Sequence, residues 1–168
     1  MLLFQQAREI AEKTIQNLQW HPDDSLIIVE NQIIEKPYAW IFPYTSKRWL
    51  QGDFNYAIAG NGPLFVDKQD GRISRFRTGL SMEGMIDEYE EQNKAWSLKI
   101  STAVYSNTEK LLAIKGHLKM TQKEITELKR INTAIVGQGA KKRLEKLADV
   151  LKTSGIESEV MLTHYNYS

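Results

Sequence analysis

The residue types that most often carry chemistry are few in this chain and badly spaced for it. Its three histidines, His21, His117 and His164, are far apart, and none has a His-x-x-x-His or His-Glu-x-x-His partner to place two ligands on one helix face. They read as turn or surface residues. There is no cysteine, which excludes a disulfide framework, a thiolate zinc site and a cysteine nucleophile. Asp53, Asp67 and Asp70 are carboxylates of the kind an acid-base pair needs, but each adjoins a turn signal, and turn chemistry explains them without catalysis. Gly60-Asn61-Gly62 lacks both the Lys-Ser/Thr of a P-loop and the third glycine of a dinucleotide fingerprint. Ser81-Met82-Glu83-Gly84 is not framed as Gly-x-Ser-x-Gly, so it is no nucleophile elbow. The expectation is a protein that is not an enzyme, with no catalytic residue, no metal and no cofactor.

What the chain does carry is material for contact with another molecule. Glu83, Asp87, Glu88, Glu90 and Glu91 form one acidic helix face. Lys115, Lys119, Lys123 and Lys129, and the run Lys141-Lys142-Arg143, are basic counterparts that suit an acidic protein surface or RNA phosphates. Each set also reads as an ordinary solvated helix face. Among the aromatics Trp40, Tyr44, Trp49 and Tyr56, Trp49 follows Lys47-Arg48 in an expected loop, which makes it the best exposed anchor. Asp53 and Asn61, in neighbouring turns, complete the interface candidates.

Composition bounds the partner. The 168 residues hold 22 basic and 21 acidic side chains, a net of +1, with 42% hydrophobic, 10% aromatic and 26% charged residues. That is a globular chain and not a uniformly basic nucleic-acid binder. The total conceals a gradient: nine Lys/Arg against fourteen Asp/Glu up to Gln92, net −5, and thirteen against seven after it, net +6. Twelve of the sixteen aromatics and all four prolines also precede Asn93. No basic region followed by an apolar stretch opens the chain, and no window approaches the roughly 18 apolar residues of a membrane span. A soluble, cytoplasmic protein is expected.

The positioning elements follow from periodicity. Leu3, Ala7, Ile10, Ala11 and Leu18 share a helix face that ends at His21-Pro22-Asp23-Asp24. Strands are expected over 25–35, 38–44, 56–59, 64–66 and 72–76, the last two joined through Asp70-Gly71. Ser81 caps a helix carrying Met82, Met85, Ile86 and Tyr89. Beyond a junction at 92–95, a strand over 96–103 leads to helices over 108–119 and from Thr121, where Thr121-Gln122-Lys123-Glu124 has capping-box spacing. A strand over 133–136, a helix over 141–152 and a strand over 159–163 give the order βααβαβ. The fold class is α+β in two small domains: residues 1–92, a helix with an antiparallel sheet, and residues 93–168, the βααβαβ unit.

Residues 1–92 resemble the bacterial immunity protein thirty-five family. The resemblance rests on an amphipathic helix followed by Glu35-Lys36-Pro37-Tyr38-Ala39-Trp40-Ile41-Phe42, Tyr44, the Gly52-Asp53 turn, Ala59-Gly60-Asn61-Gly62-Pro63, Val66-Asp67-Lys68, the Gly71 turn and an acidic helix. Residues 97–162 resemble the C-terminal domain of the ribosomal stalk protein in element order and in Ile114-Lys115, Thr121, Glu127, Lys129 and Gly155, with Gln122-Lys123-Glu124-Ile125 in place of its Gly-Leu-Gly-Leu turn. The first resemblance implies an antitoxin that binds one cognate toxin domain, the C-terminal part of a secreted effector, in the cytoplasm and occludes its active site or substrate entry. No membrane or nucleic-acid partner is expected. The second implies an alternative, an adaptor for the ribosome or a translation factor, and a small chaperone-like protein is a third reading.

Overall fold

The amphipathic opening becomes α1 (Phe4–Gln16), with Ala7, Ala11 and Ile15 buried. Small side chains at i and i+4 let its backbone lie close to the strands beneath. At its start the Leu3 amide donates to Gln6 Oε1 at 2.9 Å, which satisfies a donor the helix cannot. The structure is a computed structural model, and residues 1–163 are described; His164 and its expected surface role lie outside them.

The segment 25–35, expected as one strand, is two: β1 (Leu26–Ile28) and β2 (Ile34–Glu35), separated by a 3-10 turn at Glu30–Gln32. Its partner arm is broken as well, into β3 (Ala39–Phe42) and β4 (Tyr44–Ser46). Between them stands Pro43, which has no N–H for the ladder. β1 pairs antiparallel with β4 and β2 with β3; the 3-10 turn absorbs the residues by which the first arm is longer. β5 (Leu64–Asp67) pairs with β3, and β6 (Ile73–Ser74) with β5, completing a sheet of order β2-β3-β5-β6. Phe42, Leu64 and Val66 meet Ala7, Ala11 and Ile15 in one core. Gly71, at φ +73°, turns the β5–β6 hairpin so close to α1 that a Cβ there would stand 2.9 Å from Ile10 Cδ1.

The strand expected over 56–59 does not form. Phe54–Tyr56 is a 3-10 turn because the Asp53 carboxylate takes the Asn55 amide at 3.2 Å, and residues 57–63 have no regular structure. A one-turn helix, α2 (Lys47–Leu50), carries Trp49, where a loop is expected. α3 (Met82–Gln92) starts as expected, with the Gly84 amide donating to Ser81 Oγ at 3.1 Å. The chain divides into two compact units between Met85 and Ile86, within this helix. Counted on that division, the first unit has nine basic and ten acidic residues, net −1, and the second thirteen and eleven, net +2. The charge gradient read from a cut at Gln92 therefore nearly vanishes, because four carboxylates of α3 fall in the second unit.

That unit has the order βααβαβ: β7 (Trp96–Ile100), α4 (Thr108–His117), α5 (Gln122–Ile131), β8 (Ile135–Gly139), α6 (Lys141–Thr153) and β9 (Ser158–Leu162). β7 stops short of 103 because Ser101 Oγ accepts the Ala103 amide and starts a 3-10 turn over Thr102–Ser106. Gly137-Gln138-Gly139, expected after β8, lies within it. The capping box at Thr121 forms: Thr121 Oγ1 accepts the Glu124 amide at 3.2 Å, and Glu124 Oε2 accepts the Thr121 amide at 2.7 Å. The sheet runs β8-β7-β9, antiparallel throughout, and Leu98, Ile100, Ile114, Leu144, Leu151 and Ile156 fill the core.

Candidate functional site

In the first unit the local structure converges on Asp24. Its Oδ1 accepts the Arg48 amide at 3.1 Å; its Oδ2 accepts Trp20 Nε1–H at 2.8 Å and the Ser46 hydroxyl. Ser46 Oγ in turn caps α2 by accepting the Trp49 amide at 3.0 Å. Desolvation opposes the carboxylate's charge, but the bonds from Ser46, Trp20 and the Arg48 and Ser25 amides outweigh it and hold its pKa down to about 2. Arg48 donates to the Tyr56 hydroxyl at 2.6 Å, with its guanidinium 4.7 Å from the ring centroid, and His21 meets the same ring edge-on. Asn61 Nδ2 donates to the Tyr44 carbonyl at 2.5 Å. Polar bonds thus fix a short helix, a 3-10 turn and a loop together.

What they hold outward is apolar. Trp49 is 40% exposed, Leu50 49% and Phe54 82%. Tyr44, Trp49, Leu50 and Asn61 line a cleft of about 380 Å³, with Val29, Gln32, Pro43, Thr45, Ala57, Ile58, Pro63 and Met82 as its other walls. No lining side chain is charged. The structure brings Tyr44, Trp49 and Asn61 together in that cleft, while Arg48 and Asp53 point their charges into bonds that support it. Lys47 is exposed on the first turn of α2. Sequence reasoning missed Leu50, Phe54 and Asp24. An apolar residue directly after Gly52-Asp53, inside a turn, is the signal that marks Phe54.

Asp53, Asp67 and Asp70 each accept the amide two residues on, at 3.2, 2.7 and 2.9 Å. No group of three or more His, Asp or Glu side chains suited to a metal ion occurs among the described residues. No helix among the described residues is long and apolar enough to cross a membrane.

In the second unit the acidic and basic candidates find each other. Ala140, before α6, has no side chain to cap the helix. Glu91 Oε2 accepts the Ala140 amide at 2.8 Å, and buried Glu90 accepts the Lys141 amide at 2.8 Å. Two carboxylates thus meet the positive end of the helix dipole. Arg143 donates to both oxygens of Glu91, at 3.0 and 2.9 Å, and to the Gln138 carbonyl. Desolvation raises the Glu91 pKa, but Arg143 and the Ala140 amide prevail and the net shift is downward. A Cβ on Gly139, at φ +142°, would run into the Glu91 carboxylate and Arg143, so glycine is required there. Lys141 Nζ lies 4.8 Å from the Trp96 ring centroid, and Lys142 is exposed beside it. Elsewhere on α3, Glu83 is exposed, Asp87 half-buried, and Glu88 accepts Gln92 Nε2–H at 3.1 Å.

Lys115 and Lys129 line a groove of about 370 Å³ between α4 and α5, together with Leu111, Ile125 and exposed Leu112. Lys115 donates to Gln122 Oε1 at 2.8 Å, and Lys119 and Lys123 are exposed.

Residues 5–92 match a family described as Immunity protein 35. Comparison with curated proteins and with solved structures gives no match.

Proposed function

The chain belongs to the Immunity protein 35 family, and on that premise we propose that it binds and neutralises one cognate bacterial toxin, in the cytoplasm and without catalysis of its own. The observation that carries this beyond the family is the surface around α2. Trp49, Leu50 and Phe54 are exposed on backbone that Asp24, Ser46 and Arg48 hold in place, so docking would order little that is not already ordered. Such preformed aromatic and aliphatic anchors slow dissociation when a partner buries them. Occlusion of the toxin's active site or substrate entry is the inhibition mode this reading favours, with the toxin being the C-terminal domain of a secreted effector.

The test is co-expression with the toxin domain encoded immediately upstream. A stoichiometric complex on gel filtration and restored growth are expected. Failure to bind and failure to rescue would overturn the reading.

The α4–α5 groove supports a second reading. Its apolar floor, Leu111 and Ile125, between Lys115 and Lys129 suits an acidic amphipathic partner, as a translation-factor or ribosome adaptor built on a stalk-like unit would need. That reading predicts co-sedimentation with ribosomes that Lys115→Glu with Lys129→Glu abolishes; ribosome-free gradients would overturn it.

A further inference from the structure

Resting on the immunity reading, we infer that the toxin presents an uncharged, apolar segment to the cleft beside α2, and that this contact, not charge pairing, supplies most of the affinity. The cleft walls include Pro43, Tyr44, Trp49, Leu50 and Ile58, with Gln32 and Asn61 as its amides, and no charged side chain lines it. A buried unpaired charge is strongly unfavourable, so a charged segment entering this cleft would lose its hydration and gain no counter-charge. An apolar segment loses nothing comparable and covers Trp49 and Leu50, which solvent now reaches. Phe54, the most exposed large apolar residue of the described chain, stands in the next turn, tied back by the Asp53 amide on the Arg48 carbonyl at 3.0 Å.

The charges near the cleft support the same conclusion. Asp24 holds α2, Arg48 is bonded to Tyr56, and Asp53 closes its own turn. The acidic helix that would imitate a nucleic-acid substrate is depleted: Glu90 and Glu91 cap α6, and Glu91 is also paired with Arg143. With nine basic against ten acidic residues, the first unit has almost no net charge for long-range steering. Lys47 is exposed on α2 but does not line the cleft, and exposed apolar side chains gathered around an uncharged cleft fit a partner surface of the same character.

The experiment measures binding of the upstream-encoded toxin domain, in a catalytically dead form, to the full chain by biolayer interferometry at about 50 and about 500 mM NaCl. Leu50→Ala and Phe54→Ala are each expected to weaken binding about 30-fold or more, mainly through faster dissociation, with unchanged melting temperature because both side chains are exposed. Wild-type affinity is expected to change less than about 3-fold between the two salt concentrations. Leu50→Ala and Phe54→Ala both within about 3-fold of wild type, or a loss of tenfold or more at high salt, would overturn the inference while leaving the immunity reading standing. Absence of any complex with the wild-type chain would remove both.

Discussion

The turn around α2 and the N-terminus of α6 handle charge in opposite ways. At α2 Asp24, Arg48 and Asp53 are engaged in bonds that hold the turn, Lys47 stays exposed outside the cleft, and the surface these bonds support is Trp49, Leu50 and Phe54. At α6 the groups that look like surface are used within the unit: Glu91 and Glu90 accept the Ala140 and Lys141 amides, and Arg143 donates to Glu91. A carboxylate close to a bare helix N-terminus has a partner waiting in its own chain, whereas an apolar side chain in a turn remains exposed until another molecule covers it. Density of charge in a sequence is therefore a poor guide to an interface when an uncapped helix is within reach. Exposed apolar residues on a polar-braced turn are a better one.

The strongest way to break this contrast is to remove the α6 cap. Glu90→Ala with Glu91→Ala strips two charge-assisted acceptors from the helix start and leaves Arg143 without its carboxylate partner, with the bond to the Gln138 carbonyl remaining. The cost expected from two such caps is about 2–4 kcal/mol, read as a large fall in melting temperature, with toxin affinity at a temperature where the chain is folded left unchanged. The sign of the pH dependence follows from Glu91, whose pKa is lowered on folding despite its desolvation. Its contribution is present above the ordinary glutamate pKa and declines as pH falls through the lowered value. Unchanged stability with lost affinity would return the acidic helix face to the interface.

The same contrast is sharpened by titrating the other region. Asp24 has its pKa held at about 2, so its bonds to Trp20, Ser46 and Arg48 are intact above the usual aspartate range, near pH 3.9, and fail only as pH falls through about 2. The Trp20 indole N–H, which donates to Asp24, reports this directly in an NMR titration. A midpoint near 2 that disappears in Asp24→Asn is expected. A midpoint near 4 would mean that the carboxylate does not brace α2. Because the bonds are local, the asparagine variant is expected to loosen α2 and weaken toxin binding without unfolding the chain, a smaller effect than loss of the α6 cap.

Much of the scaffold is legible in the sequence because its signals are local. The apolar stripe of α1, the Asp70-Gly71 hairpin, the Ser81 cap and the Thr121 capping box all lie where spacing places them. The errors have local causes too. Pro43 splits a run that alternates like one strand, and Asp53 starts a 3-10 turn over Phe54–Tyr56 that takes up the first residue of the strand expected over 56–59. The site was harder to read. Trp49 stands out by its neighbours, and Tyr44 and Asn61 fall beside it. Asp24 acts across 22 residues to Ser46 and Glu91 across 49 to Ala140, and no periodicity encodes such a separation. The apparent charge polarity depended on where the chain was cut, and the tertiary contacts of α3 decide that cut.

The smallest expected effect tests whether the end of α3 is purely structural. Lys94 sits in the left-handed region at φ +50°, and the turn it makes lets the Lys94 amide reach the Glu91 carbonyl at 3.4 Å and the Ala95 amide reach the Glu90 carbonyl at 3.0 Å. That is how a helix closes with glycine at the position after its cap; here a lysine takes it, immediately behind the two capping carboxylates. A side chain in this conformation costs about 1–2 kcal/mol, and glycine gives back part of the gain because the unfolded chain becomes freer, by about 0.5–1 kcal/mol. Lys94→Gly is therefore expected to stabilise the chain by about 0.5–1 kcal/mol, a rise of about 2–4 °C in melting temperature, whereas Lys94→Ala keeps the strain and gains nothing. Toxin affinity should not change in either variant, since Lys94 belongs to the second unit and the proposed contact surface to the first. A gain in stability accompanied by a loss of binding would mean that the lysine is held in its strained geometry for a partner, and the division between a braced apolar surface and a self-satisfied charged one would no longer hold.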